Sequence, residues 1–282
     1  MVLASSRANV IASVLCASCC LLLSVETLAN QNHLDRENRA ATPIQSLPAT
    51  VDRYVEAKRL LYDVIFGDRR KTLYCGCPFD ASRRPDLAAC GYRSQGNAER
   101  AARVEVEHVV PASWLGAGRA CWRQKLCVDA KGRRFKGRKC CLKTDPEFRA
   151  AYNDLHNLWP VIGEVNEQRR NYAFAEIPGE PREFGQCDFE VDDRTRTAEP
   201  RPAIRGDVAR IHLYMEAVHG IGLSRELRAR LRRWHRSDPP DEWERARNAR
   251  IKAIQGLGNP WVEERELARE RPVGAEPPPV TQ

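Results

Sequence analysis

Apolar residues fall at helical spacing over residues 51–66, where Val55, Leu60, Leu61, Val64 and Ile65 predict a first core helix. Residues 70–100 lose that period: Thr72-Leu73-Tyr74 precedes Cys75, and turn-rich sequence follows, the pattern of short strands and loops. From Val104 to Val110 a β-branched run ends at Pro111 and reads as a buried strand leaving its sheet. Asp145-Pro146-Glu147 is a helix start, with a capping acid, proline at the first position and an acid in the first turn. That helix is expected to run through Phe148 and Tyr152 towards Leu155. Pro160 breaks the period, and Gly163-Glu164-Val165-Asn166 begins a further short helix. Residues 179–203, with Cys187 and several prolines, read as loop. Three helical stretches follow. The first, 207–218, repeats Val208, Ile211, Met215 and Val218; Ser224 caps the second, with Leu227, Leu231 and Trp234 on one face; the third, 241–254, follows Pro239-Pro240. The balance predicts an α+β fold: a mixed, mostly helical single domain with a small sheet, spanning 51–264. A flexible lead-in at 30–50 and a disordered tail at 265–282, containing Pro277-Pro278-Pro279, flank it.

Residues 1–29 change the picture. Arg7 precedes an apolar block from Val10 to Val25, and Thr27-Leu28-Ala29 offers a small-residue cleavage site, the anatomy of a secretory signal peptide. An uncleaved anchor or a lipid-modified Cys19 is the competing reading, but the block is short for a span. The protein is therefore expected to be periplasmic or secreted, without a membrane span, and monomeric. Three of the 11 cysteines (Cys16, Cys19 and Cys20) lie in this leader. The others are Cys75, Cys77, Cys90, Cys121, Cys127, Cys140, Cys141 and Cys187, an even number that predicts a disulfide framework in an exported chain. Cys75-Gly76-Cys77 is too tight for a zinc knuckle. Eight cysteines allow about a hundred pairings, and the sequence does not choose among them.

The net charge of +8 points to an anionic partner, whether nucleic acid, lipid or polysaccharide. Its distribution says more. Arg119, Arg123, Lys125, Lys131, Arg133, Arg134, Lys136, Arg138, Lys139 and Lys143 face a single Asp129 in a segment that also holds Cys121, Cys127, Cys140 and Cys141. With Trp122 and Phe135 interleaved, this reads as a pinned cationic arm that grips phosphates at low ordering cost, against the plainer alternative of a solvated basic loop.

Glu107 and His108 interrupt the valine-rich strand. Burying an unpaired carboxylate costs on the order of several kcal/mol, so the pair is either neutralised or holds a metal. Rapid phosphodiester hydrolysis needs a base near neutral pH, a divalent cation and a cationic clamp on the phosphate. His108 suits the first, because an imidazole titrates near ~6.5. Glu107 suits the second as a hard oxygen ligand for magnesium. Neighbours on a strand point to opposite faces, so the two share a site only if the strand ends or bends there. The second half of the site is expected within 154–171, where Asp154, His156, Asn157, Glu164, Asn166, Arg169 and Asn171 stand among apolar residues.

Glu107-His108-Val109-Val110-Pro111-Ala112, Asp154-Leu155-His156-Asn157-Leu158 and Gly163-Glu164-Val165-Asn166 with Arg169 and Asn171 resemble the bacterial endonuclease I family of periplasmic or secreted nucleases. Tyr74-Cys75-Gly76-Cys77, Cys90-Gly91-Tyr92, Gly185-Gln186-Cys187, Ala198-Glu199-Pro200 and Asn259-Pro260 extend the match, in order, over about residues 58–262. The resemblance implies a ββα-metal (His-Me finger) nuclease core with Mg2+, for which Mn2+ or Ca2+ can stand in. It implies cleavage of DNA, and of RNA as well, with little sequence preference and 5′-phosphate products. By position, His108 would be the general base, Glu107 and Asn166 would hold the metal, and Arg138 would contact the cleaved phosphate. Arg133, Arg134, Lys136, Lys139 and Arg169 would bind the nucleic-acid backbone. Three departures stand out. The stretch between Cys121 and Cys140 is longer than in relatives, so Arg134 or Lys139 could replace Arg138. Tyr152 stands where relatives carry an acid, and Arg245 where some carry a cysteine. The reading is an exported, Mg-dependent, non-specific endonuclease. A secreted nucleic-acid-binding protein without catalysis, or a cationic protein acting on anionic surfaces, are the alternatives.

Overall fold

The computed structural model describes residues 51–179 and 182–263; the expected signal peptide, lead-in and disordered tail lie outside them. Helix α1 (Tyr54–Arg59) passes directly into a π-helical turn, Leu60–Ile65. Its buried residues Ala57, Leu61 and Ile65 recur every four positions, slower than the α-helical period. The wider turn, closed by the Phe66 N–H on the Leu61 carbonyl at 2.9 Å, keeps them aligned. Val55 and Val64, expected on the buried face, are consequently 59% and 44% exposed.

After α2 (Ala98–Ala101) come strand β1 (Val104–His108) and two short helices, α3 (Ala112–Gly116) and α4 (Ala120–Arg123). The basic arm then forms a minimal hairpin, β2 (Cys127–Val128) and β3 (Arg134–Phe135), followed by α5 (Arg138–Thr144) and α6 (Pro146–Asn153). Asp145 caps α6 by accepting from the Phe148 N–H at 2.8 Å. The helix ends at Asn153, short of Leu155, because the Asp154 carboxylate takes the His156 N–H and starts a 3-10 turn. The fully buried β4 (Leu158–Ile162) runs straight into α7 (Gly163–Arg169).

Residues 179–203, read as loop from sequence, contribute most of a sheet. Strands β5 (Ala173–Phe174), β6 (Phe189–Asp192) and β7 (Thr197–Pro200) pair in the order β5-β7-β6, with β5 parallel to β7. Strands this short carry too little alternation to be seen as a period, and their pairing partners decide their structure. The expected small sheet is thus three separate small sheets among the described residues. β1 pairs antiparallel with β4, placing Val104 opposite Ile162 and His108 opposite Leu158.

Three helices complete the domain: α8 (Arg205–His219), α9 (Arg225–Ser237) and α10 (Glu242–Gln255). Ser224 and Asp241 cap the latter two through the N–H groups of Leu227 and Glu244. Leu227, Leu231 and Trp234 bury the apolar face of α9 against α8. The end of α9 approaches α8 so closely that a Cβ on Gly206 would stand 1.9 Å from the Asp238 carbonyl oxygen. Among the described residues no helix is long and apolar enough to cross a membrane.

All eight cysteines among the described residues pair, as Cys75–Cys187, Cys77–Cys90, Cys121–Cys141 and Cys127–Cys140. The first closes a span of 112 residues, a constraint on the unfolded chain of about 4–5 kcal/mol in the chain-entropy picture. The last two fasten the basic arm to the start of α5.

Candidate active site

β1 stops at His108, and this ending removes the conflict between strand alternation and a shared site. The Val109 N–H turns to the Asn157 carbonyl at 3.1 Å. The Asn157 side chain holds both main-chain groups of Val110, accepting from its N–H at 2.7 Å and donating to its carbonyl at 3.0 Å. Glu107 and His108 therefore line one cleft of about 510 Å³, together with Arg138 and Asn166.

The His108 ring lies between Tyr54, stacked at 5.8 Å, and Tyr152, at 4.1 Å between centroids. Its Nε2 is 2.8 Å from the Tyr152 carbonyl oxygen. A carbonyl only accepts, so Nε2 carries the hydrogen and Nδ1 keeps the lone pair. Burial pushes the imidazole down to about 4, an effect that Arg138 and Arg169 reinforce and the bond to Tyr152 partly opposes. The ring is neutral at physiological pH. The bond uses the main chain of Tyr152, so the missing acid at that position does not disturb it.

Glu107 is 3% exposed. Its Oε1 accepts from the Tyr74 hydroxyl at 2.8 Å and is ion-paired with Arg169 at 3.1 Å. Burial raises the carboxyl above the usual range, while Arg169 and Tyr74 pull it back. On α7, Asn166 donates its amide to Glu105 at 2.9 Å, which fixes which end of the amide is oxygen. Glu105 is itself held by Arg100 and Arg103. Burial raises its carboxyl, but these three hydrogen bonds outweigh burial and leave it below the usual range. The Glu107 carboxylate and the Asn166 amide oxygen are hard donors. Among the described residues no group of three or more His, Cys, Asp and Glu is assembled for a metal. A sparse oxygen pair of this kind suits magnesium, which keeps several waters, better than zinc.

Arg138 opens α5 directly after Gly137, whose φ of +85° makes the tight entry, and its guanidinium lies 5.8 Å from the Tyr152 ring centre. Of the three candidates for the phosphate contact, Arg138 lines the cleft, and Arg134 and Lys139 do not. Arg133, Arg134, Lys136 and Lys139 are exposed on the arm outside the cleft. Arg133 pairs with Asp129 at 2.8 Å, and Arg134 donates to the Lys125 carbonyl.

Two expectations change. Arg169, expected to bind the nucleic-acid backbone, is 1% exposed. Its guanidinium is committed to Glu107 and to the carbonyls of His108 and Val109, with Phe174 against its face. Its guanidinium sits in the wall of the cleft, taken up by these contacts, and positions the strand end. Asp154, His156 and Asn157, unlike Arg169, do not line the cleft. Asp154 gathers Tyr214 at 2.9 Å, His219 at 2.7 Å and Gln255 at 3.1 Å, and His156 bonds to the Leu257 carbonyl. This cluster anchors the turn into β4. Tyr54, Tyr74 and Glu105 were not visible as site residues. Only Glu105 left a signal, since strand alternation puts it on the same face as Glu107.

The supporting histidines make a prediction. Burial lowers His156 to about 4 and His212 to about 3. Both folded values lie below the unfolded value near ~6.5, so the unfolded chain binds more protons as pH falls through this interval. Stability is fully present above ~6.5 and declines towards pH 4, by up to ~3 kcal/mol per pH unit while both groups titrate. Thermal melts at pH 7 and pH 4.5 check this; equal melting temperatures would contradict it.

Such a cleft suits a hydrolytic nuclease, and the chain's relatives are of that class. The family model for Endonuclease I matches residues 55–266, and the chain belongs to the endonuclease I family. It is 41% identical over 222 residues to an extracellular deoxyribonuclease of Aeromonas hydrophila, covering 77% of this chain and 92% of the relative. A periplasmic deoxyribonuclease of the same organism is 38% identical, with 79% and 90% covered. Endonuclease-1 of Buchnera aphidicola is 33% identical, with 76% and 81% covered. The protein is a nuclease of the periplasm or the extracellular medium, as the signal-peptide pattern of residues 1–29 led us to expect.

Proposed function

We propose that this protein is a magnesium-dependent, non-specific endonuclease that hydrolyses DNA, and RNA as well, to 5′-phosphate products, acting as a monomer on a ββα-metal core formed by β1, β4 and α7. The observation that carries the reading is the neutral His108 beside the Glu107 carboxylate at the end of β1, both on the cleft that Arg138 and Asn166 share.

His108 acts through Nδ1. The Tyr152 carbonyl holds the other nitrogen as N–H, so the lone pair is available to take a proton from water as it attacks phosphorus in line. An imidazole with so low a pKa is a weak base in the free protein. A bound phosphate brings negative charge near it and favours the imidazolium that forms. Glu107 and Asn166 would hold magnesium, with Mn2+ or Ca2+ able to take its place. The ion would neutralise charge gathering on the phosphate and the departing 3′ oxygen. Arg138 meets the phosphate, and Arg133, Arg134, Lys136 and Lys139 hold more distant phosphates by charge. Phosphate contacts carry no direct sequence information, which accounts for weak base preference.

The test is incubation of the purified protein with plasmid DNA and magnesium, with and without EDTA. Degradation that EDTA abolishes is expected. A gel shift without degradation would replace the enzyme by a binding protein.

A further inference from the structure

Past Asn166 the cleft continues along Arg170, Asn171 and Ser113. Asn171 donates to the Ser113 hydroxyl at 3.3 Å and accepts from Arg196 at 3.5 Å. Arg196 belongs to the β6–β7 turn, so this turn closes against the cleft's edge. The guanidinium groups of Arg170 and Arg196 each lie 5.4 Å from the centre of the same ring, Tyr172. Arg170 also donates to the Tyr172 hydroxyl at 2.6 Å and pairs with Asp193 at 3.2 Å.

Both arginines sit where the backbone disfavours any side chain. Arg170 has φ 53° with ψ −123°, and Arg196 has φ 57°. Such conformations cost of order ~1–3 kcal/mol for a residue other than glycine. Among the described residues no buried acid calls for a long cation at either place: Arg196 is exposed, Arg170 is half exposed, and the acid paired with Arg170, Asp193, is 62% exposed. An exposed ion pair of that kind is worth at most about 1 kcal/mol, so a phosphate can displace it. The aromatic ring holds both guanidiniums in place, which lowers the ordering cost of a phosphate contact.

We propose that Arg170 and Arg196, stacked on Tyr172, form a second phosphate subsite beside the reacting centre, taking a backbone phosphate that flanks the cut. The inference rests on the nucleic-acid reading above. It makes the cleft two-sided for a strand: Arg138 at the reacting phosphate, and the Tyr172 platform on a neighbouring one.

Arg170→Gly, Arg196→Gln and the double variant test it on oligonucleotides at several salt concentrations. The slope of log kcat/KM against log salt is expected to flatten by about 0.7–0.9 for each single variant and about twice that for the double, the share of one phosphate contact each. The loss should appear as a several-fold rise in KM. Arg170→Gly should also melt higher than the parent, because glycine accepts that backbone, so misfolding cannot account for the loss. Arg225→Gln, an exposed cation on α9, controls for net charge. Unchanged slopes in the Arg170 and Arg196 variants, or an equal change in Arg225→Gln, would overturn the subsite. Absence of metal-dependent cleavage by the parent would instead overturn the reading beneath it.

Discussion

Replacing His108 by alanine is expected to slow cleavage about 10²–10⁴-fold, the usual worth of a positioned general base, while DNA binding stays close to that of the parent. The proposed phosphate contacts lie on Arg138 and the arm, which the substitution leaves alone. What it removes is the imidazole nitrogen proposed to take the proton from water. The structural cost is bounded: the Tyr152 carbonyl loses its donor, on the order of 1–3 kcal/mol, which a domain with four disulfides can absorb. Cleavage assays and gel shifts on the same preparation check both halves. A fully active His108→Ala protein would sink the mechanism.

Arg169→Met is expected to be the more damaging change for the fold. It leaves Glu107 buried without its cation and strips donors from the carbonyls of His108 and Val109. Breaking one side of a buried ion pair typically costs about 3–5 kcal/mol. In a domain of this size that is roughly a 10 °C fall in melting temperature, or more. Glu107 would drift further towards its protonated form, and a protonated carboxyl is a poor ligand, so magnesium affinity measured by calorimetry should fall too. Arg169→Lys keeps the charge but not the forked contacts, and should lie between. A methionine variant melting within 2 °C or so of the parent would show that Arg169 is no keystone.

The contrast between Arg169 and His108 also marks how far the sequence could be read. β1 was legible because valines, a break in polarity and a terminal proline all coincide. The caps at Asp145 and Ser224 were legible because capping is a local interaction. Arg169 was not: a cation in a polar stretch reads as solvent-facing, and only the tertiary fold shows that α7 turns it inward, one turn after Asn166. Asp154, His156 and Asn157 were visible as polar groups in apolar surroundings, but a buried hydrogen-bonding anchor and a site residue look alike at that level. Tyr54 and Tyr74 reach the site from distant segments, and no local pattern announces such a meeting. The disulfide pairing depends on the same long-range geometry.

Cys140 and Cys141 are adjacent on α5, about 100° apart around its axis, and their partners are Cys141 with Cys121 and Cys140 with Cys127. A slip of one residue would exchange the partners and yield an isomer of identical mass and thiol content. Oxidative maturation must therefore discriminate between two neighbouring sulfurs, and thiol–disulfide exchange is the chemistry that can correct a mispaired arm. Arg138 lies two residues before this pair. Its place in the cleft wall is consequently tied to which of the two sulfurs each partner takes.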